Sequence, residues 1–118
     1  MLKVMWFLKR ADHLTLDDFH RWWMETHVPA VVEAQRPYLK KYVVNLRSPE
    51  DLLPGKPSNE TDWDGVAEQW FETEDDFKAV HGRASVGATR ADTLKHVSRL
   101  ARMIVRENTI QVETGSGG

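Results

Sequence analysis

The segment "LKVMWFLK", residues 2–9, alternates with a period of two and is apolar on both sides. Leu2, Val4, Trp6 and Leu8 project to one face of a strand, and Met5 and Phe7 to the other. Such a strand needs a cover on each side, because a sheet face that meets water carries polar residues at every second position. Helices of the same chain can cover one face. The other calls for a second layer, and the rest of the chain must be searched for it.

Working outward, "DDFHRWWMETHVPAVV", residues 17–32, changes the period to that of a helix. At 100° per residue Leu16, Phe19, His20, Trp23 and His27 share one stripe, while Asp18, Arg21 and Glu25 lie opposite. Thr15 followed by Asp18 is an N-cap signature, so the helix begins at about Thr15. Pro29 disfavours helical geometry at Val28 and has no N–H for the carbonyl of Glu25, which predicts a kink or pause around His27 before "PAVVEAQ" resumes. Arg36-Pro37 ends the helix. "LKKYVVNLR" (39–47) is a β-branched second strand, and "DGVAEQWF" (64–71) a third opened by an Asp-Gly turn signal. The stretch between them, "SPEDLLPGKPSNETDW", is a long Pro/Gly/Ser-rich loop. Thr73 caps a short acidic helix running to about Val80, "ATRADTLKHVSRL" (88–100) continues as helix, and "ARMIVRE" (101–107) is the last strand.

This order is β-α-β-β-α-β with the second helix broken in two: the α+β, ferredoxin-like pattern of one antiparallel sheet with helices on one face. Neither a spare helix nor a repeat remains to cover the far face. A second copy of the chain is the expected cover, giving a homodimer whose two sheets make a closed barrel, with a small lumen between sheet and helices suited to an apolar ligand.

Composition narrows the function. A chain of 118 residues, 41% hydrophobic and 29% charged, has room for one core, expected over residues 1–110, with 111–118 as a tail; "TGSGG" reads as a tail or an added linker. The absence of cysteine excludes disulfides, thiolate catalysis, iron–sulfur ligation and every zinc site that uses sulfur, and fits a reducing cytoplasm. "MLKVMWFLKR" lacks the pattern of a signal peptide, and no apolar run reaches the length of a membrane span. With a net charge of −2, nucleic acid is not an expected partner, and no aromatic residues interleave with the basic ones of the C-terminal third. Charge is nonetheless uneven, acidic over 60–76 and basic over 83–106, which suggests attraction within the fold or across a subunit contact, with a dedicated anion site as the alternative. "GRASVGAT" has glycine spacing like a phosphate loop, but Ala88 stands at the lysine position and a helix precedes it.

The segments "FLKR", "DFHRWWMETHVP", "YVVN" and "DGVAEQWF" together resemble the EthD family of dimeric α+β barrels, the combination F-x3-W-x3-H-x-P with D-G-x-x-E-x-W-F being the specific part. The resemblance implies a ferredoxin-like subunit, a homodimer and cofactor-independent proton-transfer chemistry on small ring compounds or aromatic polyketides, as a lyase or isomerase. Two alternatives stand beside it: a non-catalytic ligand-binding accessory protein of an oxidoreductase system for ether or hydrocarbon degradation, and a monooxygenase of the dimeric barrel type. The histidine matching His27 and the tyrosine matching Tyr42 line the lumen in that family.

Taken residue by residue, His27 sits where helix-terminal carbonyls favour the imidazolium and apolar neighbours oppose it, so it is a candidate acid or base, or else a structural histidine tying the kinked helix to the sheet. His20 is a candidate on the same stripe or a core histidine. Glu68 shares a strand face with Val66 and Trp70, and is either a carboxylate of raised pKa with a catalytic role or the partner of Arg102 or Arg106. Tyr42 could orient a substrate oxygen; it and Asn45, three apart on a strand, point to opposite faces. Trp6, Trp23 and Trp70 are core residues first and walls for a flat ligand second. The two histidines, seven apart with no third ligand, do not make a metal site.

Overall fold

A computed structural model describes residues 1–50, 54, 63–113 and 115. The elements are β1 (Leu2–Arg10), α1 (Leu16–Trp22), a π-helical segment (Trp23–His27), α2 (Val28–Gln35), β2 (Leu39–Leu46), β3 (Gly65–Phe71), α3 (Glu74–His81), α4 (Ala84–Leu94) and β4 (Val97–Val105). The four strands form one antiparallel sheet in the order β2-β3-β1-β4. Strands β1 and β3 are central, as their apolar runs require. This is the ferredoxin-like α+β fold, helices on one face. Most of the Pro/Gly/Ser-rich loop expected over 48–63 lies outside the described residues.

Both caps read from sequence are present. Thr15 accepts a hydrogen bond from Asp18 N and Thr73 one from Asp76 N, each at 3.1 Å. Pro29 does not break its helix. Instead the turn before it widens, with Val28 N–H reaching back five residues to the carbonyl of Trp23. The widening has a consequence for which residues face the sheet. In a regular α-helix each step of four residues advances about 40°, so positions 19, 23, 27, 31 and 35 would fan across about 160°. One extra residue in a turn takes back about 100° of that drift. Phe19 and Trp23 are thus fully buried, while His27, Val31 and Gln35 still face the sheet.

One expectation fails at the last element boundary. Helix was expected through Leu100, but α4 stops at Leu94 and β4 begins at Val97. The apolar spacing of 97–100 serves a strand equally well, and pairing with β1 decides it: Leu100 lies opposite Leu8 and Val97 opposite Arg10, with a bulge between Lys9 and Arg10.

Two groups of side chains fill the space between sheet and helices. One gathers Val4, Phe71, Phe77, Val80 and Val86; the other Leu8, Phe19, Trp23 and Ala67. Trp6 packs against both. Asp64 and Gly65, the turn signal of the sequence, hold the second group in place. The buried Asp64 carboxylate accepts the Arg10 backbone N–H and one guanidinium N–H, each at 2.8 Å, and its carbonyl accepts from His20 Nε2 at 2.9 Å. Gly65 has no side chain because the six-membered ring of Trp23 occupies that space: a Cβ there would overlap the indole and come within 2.9 Å of the Asn45 carbonyl. Arg83 donates to the carbonyls of Ala34 and Arg36 and so closes the C-terminal end of α2.

The register puts Lys3, Met5, Phe7, Lys41, Val43, Asn45, Val66, Glu68, Trp70, Met103 and Val105 on the face away from the helices. Among the described residues no helix is long and apolar enough to cross a membrane.

Candidate active site

Between sheet and helices, where the two packed groups part at Trp6, lies a cleft of about 530 Å³, its open mouth included. Its floor is Trp6 and Leu8 of β1, Tyr42 of β2, Ala67 and Gln69 of β3, and Leu100 of β4. Its roof comes from three helices: His27, Val31 and Gln35 from the π-turn and α2, His81 from α3, and Val86, Thr89, Arg90 and Thr93 from one side of α4. Apolar walls with a few convergent polar groups are the usual make-up of a small-molecule site.

His27 is held by its surroundings rather than by one strong bond. Its ring stacks on Trp22 at 4.9 Å between centroids, and Trp22 in turn stacks on His96 at 4.2 Å. Trp22 Nε1 donates to Asp92 Oδ2 at 3.0 Å, which ties this stack to α4. Burial pushes His27 down to about 4; the Asp92 carboxylate pulls the other way, and His96 adds to the depression. At neutral pH the ring is therefore uncharged. The Thr93 hydroxyl donates to the Thr89 carbonyl at 2.9 Å and so turns a lone pair toward His27 Nδ1, 3.4 Å away. That network assigns the proton to Nδ1 and leaves Nε2 bare.

Tyr42 Oη is buried without a hydrogen-bond partner, and burial raises its pKa to about 12. The indole N–H of Trp23 is near enough to favour the phenolate slightly, yet it falls outside hydrogen-bond geometry, and Trp23 Nε1 is likewise unpartnered. A phenol in this state is neutral and seeks a hydrogen bond. Gln35 Oε1 is a third buried polar atom without a partner.

His81 is a cleft residue that the sequence reading passed over. Its Nδ1 donates to the Phe77 carbonyl at 2.8 Å, which leaves Nε2 free, and its ring stacks on Trp6 at 5.9 Å. Burial lowers its pKa. The signal was available: His81 follows Phe77 by four residues and Val80 by one, on the buried stripe of its helix, the same argument that singled out His27 and His20.

The other expected site residues lie elsewhere. Trp23 is fully buried behind the cleft, edge-on to His27 at 6.5 Å between ring centres, and lines no part of it. His20 donates to Asp64 and joins α1 to β3 away from the cleft. Glu68 and Trp70 sit on the opposite face of the sheet, so the structure does not bring them together with His27 and Tyr42. Nor is Glu68 paired with Arg102, which the register puts on the helix side, or with Arg106. It meets Lys3 Nζ at 2.8 Å and Asn45 Nδ2 at 2.9 Å, and these bonds hold its pKa below the usual carboxylate range. Trp70 is covered within its own chain by the ammonium groups of Lys3 and Lys41, 4.7 and 4.6 Å from its ring centre.

Comparison with known proteins agrees with this architecture. The sequence model of the EthD domain matches residues 11–99. No curated protein sequence matches the chain. Among solved structures, an ethyl tert-butyl ether D (EthD) family protein of Bacillus halodurans superposes with a TM-score of 0.67 at 18% identity, over 92% of this chain and 100% of that one. A dimeric ferredoxin-like protein of unknown function from Thermobifida fusca gives 0.62 at 18%, over 88% of each chain. Hydroxynitrile lyase from Passiflora edulis gives 0.65 at 12%, over 92% of this chain and 96% of that one. At these identities the likeness is one of fold.

The depressed pKa of His27 ties stability to pH. An unfolded histidine titrates near 6.5 and the folded one near 4, so the unfolded chain binds the extra proton between those values. Stability is complete above about pH 6.5 and is lost as pH falls toward 4, by an amount on the order of 3 kcal/mol. The lowered pKa of His81 acts with the same sign. Urea unfolding at pH 7 and pH 5 should show this loss in the parent chain and a smaller one in His27→Gln; identical pH dependence in the two would contradict the assignment.

Proposed function

The chain belongs to the EthD family, and from the geometry of its cleft we propose that it is a cofactor-independent lyase or isomerase that moves a proton on a small apolar or aromatic ring substrate. The observation that carries this reading is an imidazole kept neutral by burial, His27, on the roof of an apolar cleft whose floor includes Tyr42, a phenol with a buried, unpartnered hydroxyl. His27 Nε2 takes a proton from carbon next to a substrate carbonyl, and the Tyr42 hydroxyl, buried in the free protein and uncovered as the ring enters, donates a hydrogen bond to the oxygen on which negative charge develops. An imidazole of such low basicity is a poor base toward a neutral substrate in isolation. Negative charge forming beside it favours the imidazolium, and Asp92 assists, so basicity rises as the reaction proceeds. The imidazolium then returns the proton to a second carbon in an isomerisation or to a departing oxygen in an elimination. His81, with its own free Nε2, is the second proton-carrying group within the cleft. The chemistry uses only side chains of this chain. The name of one structural neighbour, a hydroxynitrile lyase, agrees with it at the level of fold.

The uncovered sheet face is read as the contact between two copies. Met5, Phe7, Val43, Val66 and Met103 share that face, Met103 is 51% exposed, and one structural neighbour is described as dimeric. Sedimentation at micromolar concentration should return a dimer that Met103→Glu weakens. A monomer for the unsubstituted chain would overturn that reading.

Catalysis and architecture separate in two variants, once a substrate is found by screening ring lactones and aromatic polyketide analogues. His27→Ala should lower kcat/KM by ~10²–10⁴ while costing only about 0.5–1.5 kcal/mol of stability, since the bond it loses is long and weak. Trp23→Ala should destabilise by roughly 3–5 kcal/mol, as a fully buried indole is replaced by a cavity. Loss of stability in His27→Ala comparable to Trp23→Ala, with the rate kept, would instead favour a ligand-binding accessory protein.

A further inference from the structure

The cleft has a chemical polarity along its length. At one end stand His27 and its aromatic stack. Toward α3, nitrogen-bearing side chains from two different elements meet at Trp6, and a third lines the cleft. His81 of α3 stacks on the indole at 5.9 Å, and Arg102 of β4 lies over the same ring with its guanidinium carbon 5.4 Å from the centre. Arg90 of α4 lines the cleft itself. The charges of both Arg90 and Arg102 act on His81 to disfavour its protonation, which places the two guanidinium groups near one imidazole. Among the described residues neither arginine has a carboxylate at ion-pair distance. Elsewhere in the chain carboxylates are well supplied: Asp64 meets Arg10, Glu68 and Glu107 meet Lys3, and Glu74 meets Lys78. Arg90 lines the cleft and Arg102 stands over the Trp6 ring of its floor, both exposed, so their guanidinium N–H groups are open to a ligand at this end.

We infer that this end of the cleft is an anion subsite, and that the ring substrate carries a carboxylate bound by Arg90 and Arg102 while its reacting carbon faces His27. The guanidinium fork matches a carboxylate in shape and charge. The Trp6 face, whose N–H is already engaged by Gln69 Oε1 at 3.1 Å, supplies the flat wall for the attached ring. The subsite also fits the base at the far end: it fixes the orientation of a ring that the apolar walls alone would leave free to turn.

This inference rests on the cleft being the substrate site, but its test needs no turnover. Binding of 1-naphthoate and of uncharged 1-naphthamide is measured by calorimetry on the full chain at low and at moderate salt. Naphthoate should bind roughly tenfold or more tightly than the amide, and the preference should shrink as salt rises. Arg90→Gln and Arg102→Gln should each reduce the preference, and the double variant should abolish it without changing the affinity for the amide. Arg99→Gln, on the opposite sheet face over Trp63, should leave the preference intact. Equal affinity for acid and amide, a preference that survives in the double variant, or no binding of naphthoate at millimolar concentration would each overturn the subsite. His27-dependent turnover of an uncharged ring, with no help from either arginine, would sink the anion subsite and leave the proton-transfer reading standing. A carboxylate preference that follows the arginines, with no turnover of any ring acid, would do the reverse.

Discussion

The contact between the Trp23 indole and the backbone of Gly65 fixes the geometry on which the cleft depends. An indole fully removed from water and pressed on the one position of β3 that has no side chain sets the distance and rotation of the first helix over the sheet. Four residues later the same helix presents His27, and the π-turn between them keeps that imidazole, Val31 and Gln35 directed at the sheet rather than at solvent. Asp64 fastens the other side of the contact by holding the end of β1 and, through its carbonyl, His20. Each of these groups is structural. Together they deliver one reactive group to a cleft none of them lines.

The two faces of the sheet divide the work. On the helix side, apolar walls surround polar atoms that are conspicuously unpaired: Tyr42 Oη, Gln35 Oε1, and the free ring nitrogens of His27 and His81. On the far side the polar groups are satisfied within the chain, Glu68 by Lys3 and Asn45, and Trp70 by two ammonium groups. Unmet hydrogen-bonding capacity on residues that line a concave apolar site points to a ligand, whereas the unpartnered Nε1 of Trp23, behind the cleft, belongs to the packing. That contrast, more than the identity of any residue, separates His27 and Tyr42 from Glu68.

Much of the fold was legible in the sequence because its signals are local. The period-two run of β1, the Thr15 and Thr73 caps and the Asp-Gly before β3 each act within a few residues of the chain. The boundary of α4 was not legible, since 97–100 carries spacing that suits helix or strand and only pairing with β1 chooses. The site divides in the same way. His27 was legible from its stripe and from Pro29, and Tyr42 from strand alternation together with the family resemblance. The partner of Glu68 was not, because Lys3 reaches it across two strands whose register no local pattern specifies. His81 follows from the same periodicity as His27, on the buried side of a helix whose strongest local signal is its acidic cap.

The central claim is that the fold keeps His27 as an uncharged imidazole with a bare Nε2 open to the cleft. Nitrogen-15 NMR of the histidine side chains across a pH titration tests it without a substrate. The account predicts that His27 stays neutral from pH 8 down to about 5, with a midpoint near 4 and the proton on Nδ1 throughout the neutral range. A midpoint near 6.5, or a neutral form protonated on Nε2, would contradict it.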